Sequence, residues 1–178
     1  AVLLARPSLA DPPLPPDPPP GTTVRIQEFW DDGSRRYVEQ VPRVIRSEAQ
    51  WRSLLPPLAY EVTRHGATEP AFSGQYLHNQ APGIYRCRCC GTALFGTRDQ
   101  YDAGDGWLSF RRALSRDNLA ETLGRDMDPG AGTLAASCRR CAAHLGLVSA
   151  ESADGPPPGG VCYTIDSVAL RFAPASRY

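Results

Sequence analysis

Two Cys-x-x-Cys pairs are the residues of this sequence best suited to chemistry: Cys87 with Cys90, and Cys138 with Cys141. This spacing lets one short turn aim both sulfur atoms at a single point, and two such turns supply four thiolates, which a structural zinc ion binds at Zn–S distances of about 2.3 Å. Disulfides within or between the pairs, in an oxidising compartment, are the alternative. Two Cys-x-x-Cys pairs in one chain favour zinc binding over disulfides. Because four protein ligands leave no open coordination position, the predicted zinc is structural and catalysis requires other residues.

Composition and charge limit the classes of partner. The chain has 178 residues, a length that fits one domain and a tail. Its 19 basic and 19 acidic residues cancel, so no overall field favours nucleic acid or an anionic membrane. No apolar run reaches about 18 residues, so the sequence predicts no transmembrane helix. We therefore expect no nucleic-acid partner and no membrane span, and we expect a monomer.

Residues 1–21 form a proline-rich tail or linker, and residues 22–178 are predicted to form the domain. Eight of the first twenty residues are proline, which favours a semi-rigid, polyproline-like spacer over a helix or a central strand. Ala1–Ala5 and Ser8–Ala10 resemble the end of a secretory leader and its cleavage site. The prediction is an exported protein, periplasmic or secreted; the alternative is an ordinary tail on a cytoplasmic protein.

The elements expected to position these residues begin with a hairpin and two helices. Apolar residues nearly alternate over Val24–Phe29, and a turn signal at Asp31–Ser34 separates them from a second strand-like run, Tyr37–Ile45. A capping-box pattern at Ser47–Gln50 predicts the start of a first helix. A second helix is predicted over Pro57–His65, because proline is favoured in the first turn and Gly66 then stops it.

Short strands dominate the rest of the chain. They are predicted at Ile84–Arg86, Trp107–Phe110, Leu134–Ser137, His144–Val148 and Ser167–Phe172, and Ser115–Leu123 is predicted as a further short helix. Glycine and proline separate these segments. The fold class that follows is mainly β: a small antiparallel β domain with helices towards its N-terminus.

A series of motifs then carries a family resemblance. They are Ser47–Leu55, Tyr60–Arg64, Phe72–Leu77, Gly83–Phe95, Gly106–Phe110, Cys138–Gly146 and Asp154–Gly159. Together they resemble the methionine sulfoxide reductase B (MsrB) family over about residues 44–174. The resemblance implies a β-tent-like fold with a four-cysteine zinc clip, and thiol-dependent reduction of methionine-R-sulfoxide in proteins and peptides. It also implies a thioredoxin-like reductant.

The reaction of that family needs a thiolate to attack the sulfoxide sulfur, a proton donor for the departing oxygen, and a second reductant. The family's nucleophile is the cysteine of a terminal Arg-Tyr-Cys-Ile-Asn-Ser motif. The matching run here, Cys162–Ser167, places Thr164 at the nucleophile position, Cys162 at the arginine position and Asp166 at the asparagine position. A threonine hydroxyl is protonated at neutral pH and is poorly matched to a sulfur centre. We therefore expect impaired reductase activity.

The rest of the family's site is partly retained. The resemblance assigns Trp107, Phe110 and His144 to a pocket for the substrate methyl group, and it brings Asp166 into the same substrate site. A core tryptophan and a structural histidine beside the zinc are the alternatives. The second site histidine of the family is replaced by Leu147, and Asp105 stands where many relatives carry a resolving cysteine.

Cys162 keeps an enzyme interpretation open. Side chains two positions apart on a strand share a face, so its thiol should point the same way as Thr164, offset by about 6.6 Å. It could act as a displaced nucleophile, with Cys89 as resolving partner. The alternatives are a small buried residue for Cys162 and a spacer between zinc ligands for Cys89. Three hypotheses follow: a reductase that uses Cys162, an inactive relative that binds methionine or its sulfoxide in peptides, and a structural zinc module that binds another protein partner.

Overall fold

The computed structural model describes residues 22–124, 130, 132–150 and 161–176. The proline-rich tail at residues 1–21 and the motif at residues 154–159 therefore lie outside the described residues. Within them, the chain forms eleven β-strands and two α-helices. No helix in this part of the chain combines the length and the apolar character needed to cross a membrane.

The predicted hairpin is confirmed. Strand β1, Thr23–Phe29, pairs antiparallel with β2, Arg35–Pro42. The turn between them is held by Asp32, whose carboxylate accepts the Ser34 N–H at 2.9 Å, and Gly33 adopts the positive φ of 84° that the turn requires.

Both predicted helices are confirmed as well. Helix α1, Glu48–Leu54, begins with the reciprocal capping box, in which the Ser47 hydroxyl accepts the Gln50 N–H and the Gln50 side chain accepts the Ser47 N–H. Helix α2, Pro57–His65, ends at Gly66, which has the left-handed φ of 73°. The buried face of α2 packs against the sheet strand that begins at His144.

The remaining strands form two antiparallel sheets. The six-stranded sheet has the order β5-β6-β10-β9-β8-β7. Its strands are β5 Gln100–Tyr101, β6 Leu108–Phe110, β7 Leu119–Thr122, β8 Thr133–Cys138, β9 His144–Ala150 and β10 Val161–Ile165. The three-stranded sheet, β11-β3-β4, comprises β11 Leu170–Pro174, β3 Gly83–Cys87 and β4 Ala93–Gly96. The mainly β, antiparallel fold class is thus the observed one.

The helix predicted for Ser115–Leu123 is wrong. A single 3₁₀ turn spans Arg116–Asn118, and the chain continues as strand β7. Asn118 explains the difference, because it is buried and its side-chain amide donates to the carbonyl groups of Gln27 and Ala93 while accepting the Gln27 N–H. These bonds across the fold outweigh the local helix preference.

The strand predicted at Ser167–Phe172 also begins later than expected. Residues Ser167–Ala169 form a 3₁₀ turn, and β11 starts at Leu170. This turn links the end of β10 to the second sheet, so the two sheets meet where the candidate site residues lie.

Candidate functional site

The two cysteine pairs are held by the same kind of backbone turn. The Cys87 carbonyl accepts the Gly91 N–H at 2.8 Å, and the Cys138 carbonyl accepts the Ala142 N–H at 2.8 Å. Gly91 and Ala142 both have positive φ, 79° and 59°. The left-handed conformation costs an alanine about 1 kcal/mol. The surrounding structure therefore holds Ala142 in this turn despite that cost.

These turns bring four sulfur atoms to one point. The Sγ atoms of Cys87, Cys90, Cys138 and Cys141 all lie within 4.8 Å of one another, with Cys87–Cys141 at 3.6 Å and Cys90–Cys138 at 3.5 Å. Four sulfurs around a tetrahedral ion with bonds of about 2.3 Å would be about 3.8 Å apart, whereas a disulfide requires about 2.05 Å. All six cysteines are free thiols. The geometry therefore fits one metal ion and not two disulfides.

A separate cavity of about 480 Å³ lies on the six-stranded sheet. The described residues that line it include the predicted site residues Trp107, His144, Thr164 and Asp166, together with Leu147 and His65. None of the described lining residues is a cysteine. The structure thus brings together four of the predicted catalytic and substrate-binding residues around one hollow, away from the metal cluster.

Strand register explains why these residues meet. Thr164 of β10 lies directly opposite Leu147 of β9 and Ser109 of β6, and residues directly opposite each other point to the same face. The two strands approach closely at Gly146, where any Cβ would collide with the Thr164 carbonyl oxygen. A glycine is therefore required beneath the cavity floor.

Glu69 is a site residue that sequence reasoning missed. It is buried, and its carboxylate accepts the backbone N–H groups of Ser167 at 2.8 Å and Val168 at 2.9 Å. Its own N–H donates to Asp166, and its carbonyl accepts the Trp107 indole N–H at 3.0 Å. Glu69 therefore fixes two walls of the cavity. In the sequence, Glu69 is marked only as an acidic residue before a proline, because all the groups that it bonds are distant along the chain.

The pKa values of the ionisable groups around the cavity are shifted in different directions. Burial raises the pKa of Asp166 to about 7, and the nearby charge of Glu69 adds to the effect, while the Glu69 N–H partly opposes it. Burial lowers the pKa of His144, which favours the neutral imidazole. The pKa of the exposed His65 is raised, and its hydrogen bond to Glu48 is the largest cause.

Phe110 departs from the predicted pocket wall. Its side chain is fully buried and stacks on Phe95 with ring centroids 4.5 Å apart, so the structure places it in the core. Alternation along β6 is the reason, because Ser109 takes the face of Thr164 and its neighbour Phe110 takes the opposite face.

Cys162 lies beside the cavity rather than in its lining. Its Sγ is 4.0 Å from the Thr164 hydroxyl oxygen, in agreement with the prediction that the two share a face. The thiol is half-buried and is 2.7 Å from the hydroxyl oxygen of Tyr101. A sulfur atom therefore lies close to Thr164, but it is turned towards Tyr101 of β5, two strands away in the sheet.

Cys89 and Asp105 do not provide a resolving thiol. The Cys89 thiol lies against Cys141, beside the four-cysteine cluster and before β9 begins at His144. Cys162 is paired with Ser149 towards the other end of β9, about 16 Å along the strand at about 3.3 Å per residue. A disulfide needs Cα atoms within about 7 Å. Asp105 is exposed, and its carboxylate accepts the Trp107 backbone N–H at 3.0 Å.

Comparison with known proteins shows which family this chain resembles. A family model described as SelR domain matches residues 55–174. "Peptide methionine sulfoxide reductase MsrB" of Herminiimonas arsenicoxydans is 45% identical over 130 residues, which cover 73% of this chain and 91% of the relative. The protein of the same name in Thiobacillus denitrificans is 42% identical over 129 residues, covering 72% and 94%. "Methionine-R-sulfoxide reductase B3, mitochondrial" of Mus musculus is 41% identical over 133 residues, covering 75% and 51%.

Proposed function

The chain belongs to the SelR, or methionine-R-sulfoxide reductase B, family, and from that premise we propose that it binds methionine-R-sulfoxide residues of proteins but reduces them poorly. The observation that carries this proposal is the composition of the cavity. Trp107, His144 and Asp166 line it, and Thr164 occupies the position where the family's thiol would stand.

The proposed binding mode follows from the chemistry of the walls. The Trp107 indole, held by its N–H bond to the Glu69 carbonyl, offers a flat apolar surface to the methyl group of the substrate. The exposed side chain of Leu147 extends that apolar surface on the opposite wall. His144 and Asp166 provide the polar groups that a sulfoxide oxygen requires.

Impaired reduction follows from what Thr164 lacks. Reduction transfers the sulfoxide oxygen to an attacking sulfur, which is oxidised to a sulfenic acid while the substrate leaves as a sulfide. A threonine oxygen cannot be oxidised in this way, so even a hydroxyl activated by a base would not complete the reaction. The cavity therefore supports recognition without efficient turnover.

A second candidate function is favoured by the position of Cys162. Its sulfur, 4.0 Å from the Thr164 oxygen, needs only to leave Tyr101 and turn into the cavity to reach a bound sulfoxide. Because Cys89 is too distant to resolve the sulfenic acid, an external thiol would have to do so, and we propose a thioredoxin-like protein for that role. This candidate is a slow reductase with a displaced nucleophile.

We propose that the metal held by the four cysteines is zinc. Four thiolates in a closed tetrahedral set suit zinc, with an iron–sulfur centre as the alternative for the same ligands. Such a site has no position for substrate, so its role is structural. Export of the protein and a monomeric state remain predictions from the sequence.

Binding of peptides tests the proposed function. We expect titration calorimetry of the metal-loaded protein to show binding of a methionine-R-sulfoxide peptide and weaker binding of its S epimer. Trp107→Ala removes the apolar wall and should therefore lower the affinity at least about tenfold, which corresponds to about 1.4 kcal/mol. Trp30→Ala, on the hairpin, is the matched control and should bind normally. Absence of binding by the folded protein, or full binding by Trp107→Ala, would overturn the proposal.

A further inference from the structure

A carboxyl group closes the polar end of the cavity. Asp166 follows β10 and is only 3% exposed. Its Oδ1 atom accepts the Glu69 N–H at 2.9 Å, whereas no described residue bonds its other oxygen, Oδ2. Asp166 also lines the cavity beside Trp107 and Thr164. Oδ2 is therefore the atom that this buried side chain offers to a bound molecule.

Burial makes the neutral form of the Asp166 carboxyl accessible. Both Glu69 carboxylate oxygens are occupied by the backbone N–H groups of Ser167 and Val168, so Glu69 has no donor to give to Asp166. Burial removes water from Asp166 and raises its pKa to about 7; the hydrogen bond from the Glu69 N–H partly opposes this rise, and the nearby charge of Glu69 adds to it. The Asp166 carboxyl therefore carries a proton in about half of the molecules at neutral pH.

We propose that neutral Asp166 is the group that recognises the sulfoxide oxygen, with Oδ2–H donating a hydrogen bond to the S=O oxygen of bound methionine-R-sulfoxide. The inference rests on the proposed function, since it names the donor within the same cavity. A methionine sulfide has no such oxygen, so this donor distinguishes oxidised from reduced methionine. An asparagine at this position could donate through its amide N–H at any neutral or alkaline pH, whereas Asp166 donates only while it is protonated.

The dependence on pH has a definite sign. Below about pH 7 the carboxyl is neutral and donates; above it, a carboxylate faces the sulfoxide oxygen and repels it. If only the neutral form binds, affinity falls in proportion to its population, by about a hundredfold between pH 6 and pH 9. Sulfoxide binding above pH 7 then takes up one proton, because the complex forms only with the protonated carboxyl.

Among the described residues, three other ionisable groups face Asp166 or its cavity: Glu69 from the loop after α2, His65 from the end of α2, and His144 from β9. The lowered pKa of His144 places its titration at more acidic pH. The hydrogen bond to Glu48 raises the pKa of His65, a second group at this cavity with a raised pKa, so this histidine needs its own control.

The experiment is titration calorimetry of the metal-loaded protein with a methionine-R-sulfoxide peptide and the same peptide containing methionine, from pH 6 to pH 9. Buffers of different ionisation enthalpy report the proton uptake. Asp166→Asn keeps the acceptor for the Glu69 N–H and supplies a permanent donor. His65→Gln is the control for the second titrating group.

We expect the wild-type affinity for the sulfoxide to fall as pH rises through about 7, with uptake of up to one proton and no change for the methionine peptide. Asp166→Asn should bind the sulfoxide equally well at pH 6 and pH 9, and His65→Gln should retain the wild-type dependence. A flat wild-type profile, or a dependence that survives in Asp166→Asn, would overturn the inference while leaving the proposed function in place. Failure of both peptides to bind at every pH would overturn the two together.

Discussion

At the scale of single residues, the neighbouring carboxyl groups of Glu69 and Asp166 accept different numbers of hydrogen bonds. Glu69 is buried, but its two oxygens each accept a backbone N–H. Asp166 is equally buried and accepts only one such bond. A buried carboxylate is stabilised by the donors around it, and the single N–H bond to Asp166 does not offset its burial, so the pKa of Asp166 is raised. This pairing of unlike carboxyl groups gives the cavity its expected chemistry.

The raised pKa of Asp166 also predicts an effect on folding stability. In the unfolded chain the group ionises near its ordinary value of 3.8, and in the folded protein near 7, so stability is lost as the pH rises between these values. Asp166→Asn removes that loss. We expect it to raise the free energy of unfolding at pH 8 by up to about 4 kcal/mol, and by much less at pH 4.

Urea unfolding of the wild type and Asp166→Asn at both pH values measures this effect. Asp105→Asn, an exposed carboxyl near the same cavity, is the control and should change stability little at either pH. Equal stability of wild type and Asp166→Asn at pH 8 would contradict the raised pKa.

At the scale of elements, the two cysteine turns have the same backbone geometry but differ in the residue that follows the second cysteine. Each continues after its second cysteine through a residue with positive φ, Gly91 in the first turn and Ala142 in the second. Glycine takes this conformation without the steric cost that alanine meets. The second turn therefore carries a steric cost that the first does not.

This strain predicts opposite effects for two small substitutions. Gly91→Ala should destabilise the protein by about 1 kcal/mol and speed metal release to a chelator, whereas Ala142→Gly should be neutral or stabilise by about 0.5 kcal/mol. Thermal unfolding and chelator kinetics measure both. Gly104→Ala, at φ of 77° in a loop, is the matched control: it should lose stability without faster metal release. Faster release from Ala142→Gly than from wild type would count against the assigned turn geometry.

The elements that the sequence predicted are those with local signals. The Ser47 capping box, Pro57 with Gly66, and the Cys-x-x-Cys turns all specify structure within a few residues. Asn118 and Glu69 show the limit, because Asn118 bonds Gln27 and Glu69 bonds Ser167, each more than ninety positions away in the chain. Only the assembled fold reveals that Asn118 ends a helix-like segment, or that Glu69 positions the cavity walls.

At the scale of the whole molecule, the metal cluster joins distant parts of the chain. Cys87 and Cys90 lie at the end of β3 of one sheet, while Cys138 and Cys141 lie at the end of β8 of the other. A bound metal therefore ties the two sheets together. Metal binding at such sites supplies folding energy, about 10 kcal/mol or more in small zinc domains.

We expect removal of the metal by a strong chelator to unfold the domain, as measured by circular dichroism, and added zinc to restore it. Cys90→Ser should lose both the metal and the native fold, because it removes one ligand. Cys89→Ser, in the same turn but outside the four-sulfur set, should keep both. An unchanged spectrum after complete metal removal would contradict the structural role.

The most direct test of the account compares reduction of a methionine-R-sulfoxide peptide by wild type, Thr164→Cys and Cys162→Ser, with excess dithiothreitol. Dithiothreitol replaces the missing resolving thiol, so the assay reports the attack on the sulfoxide. The account predicts little turnover by wild type and at least about a hundredfold more by Thr164→Cys, because the cavity keeps Trp107 and His144 and the substitution supplies the missing sulfur. Brisk wild-type turnover that is lost in Cys162→Ser would instead establish the displaced nucleophile. An inactive Thr164→Cys that folds and retains its metal would contradict the assignment of this cavity.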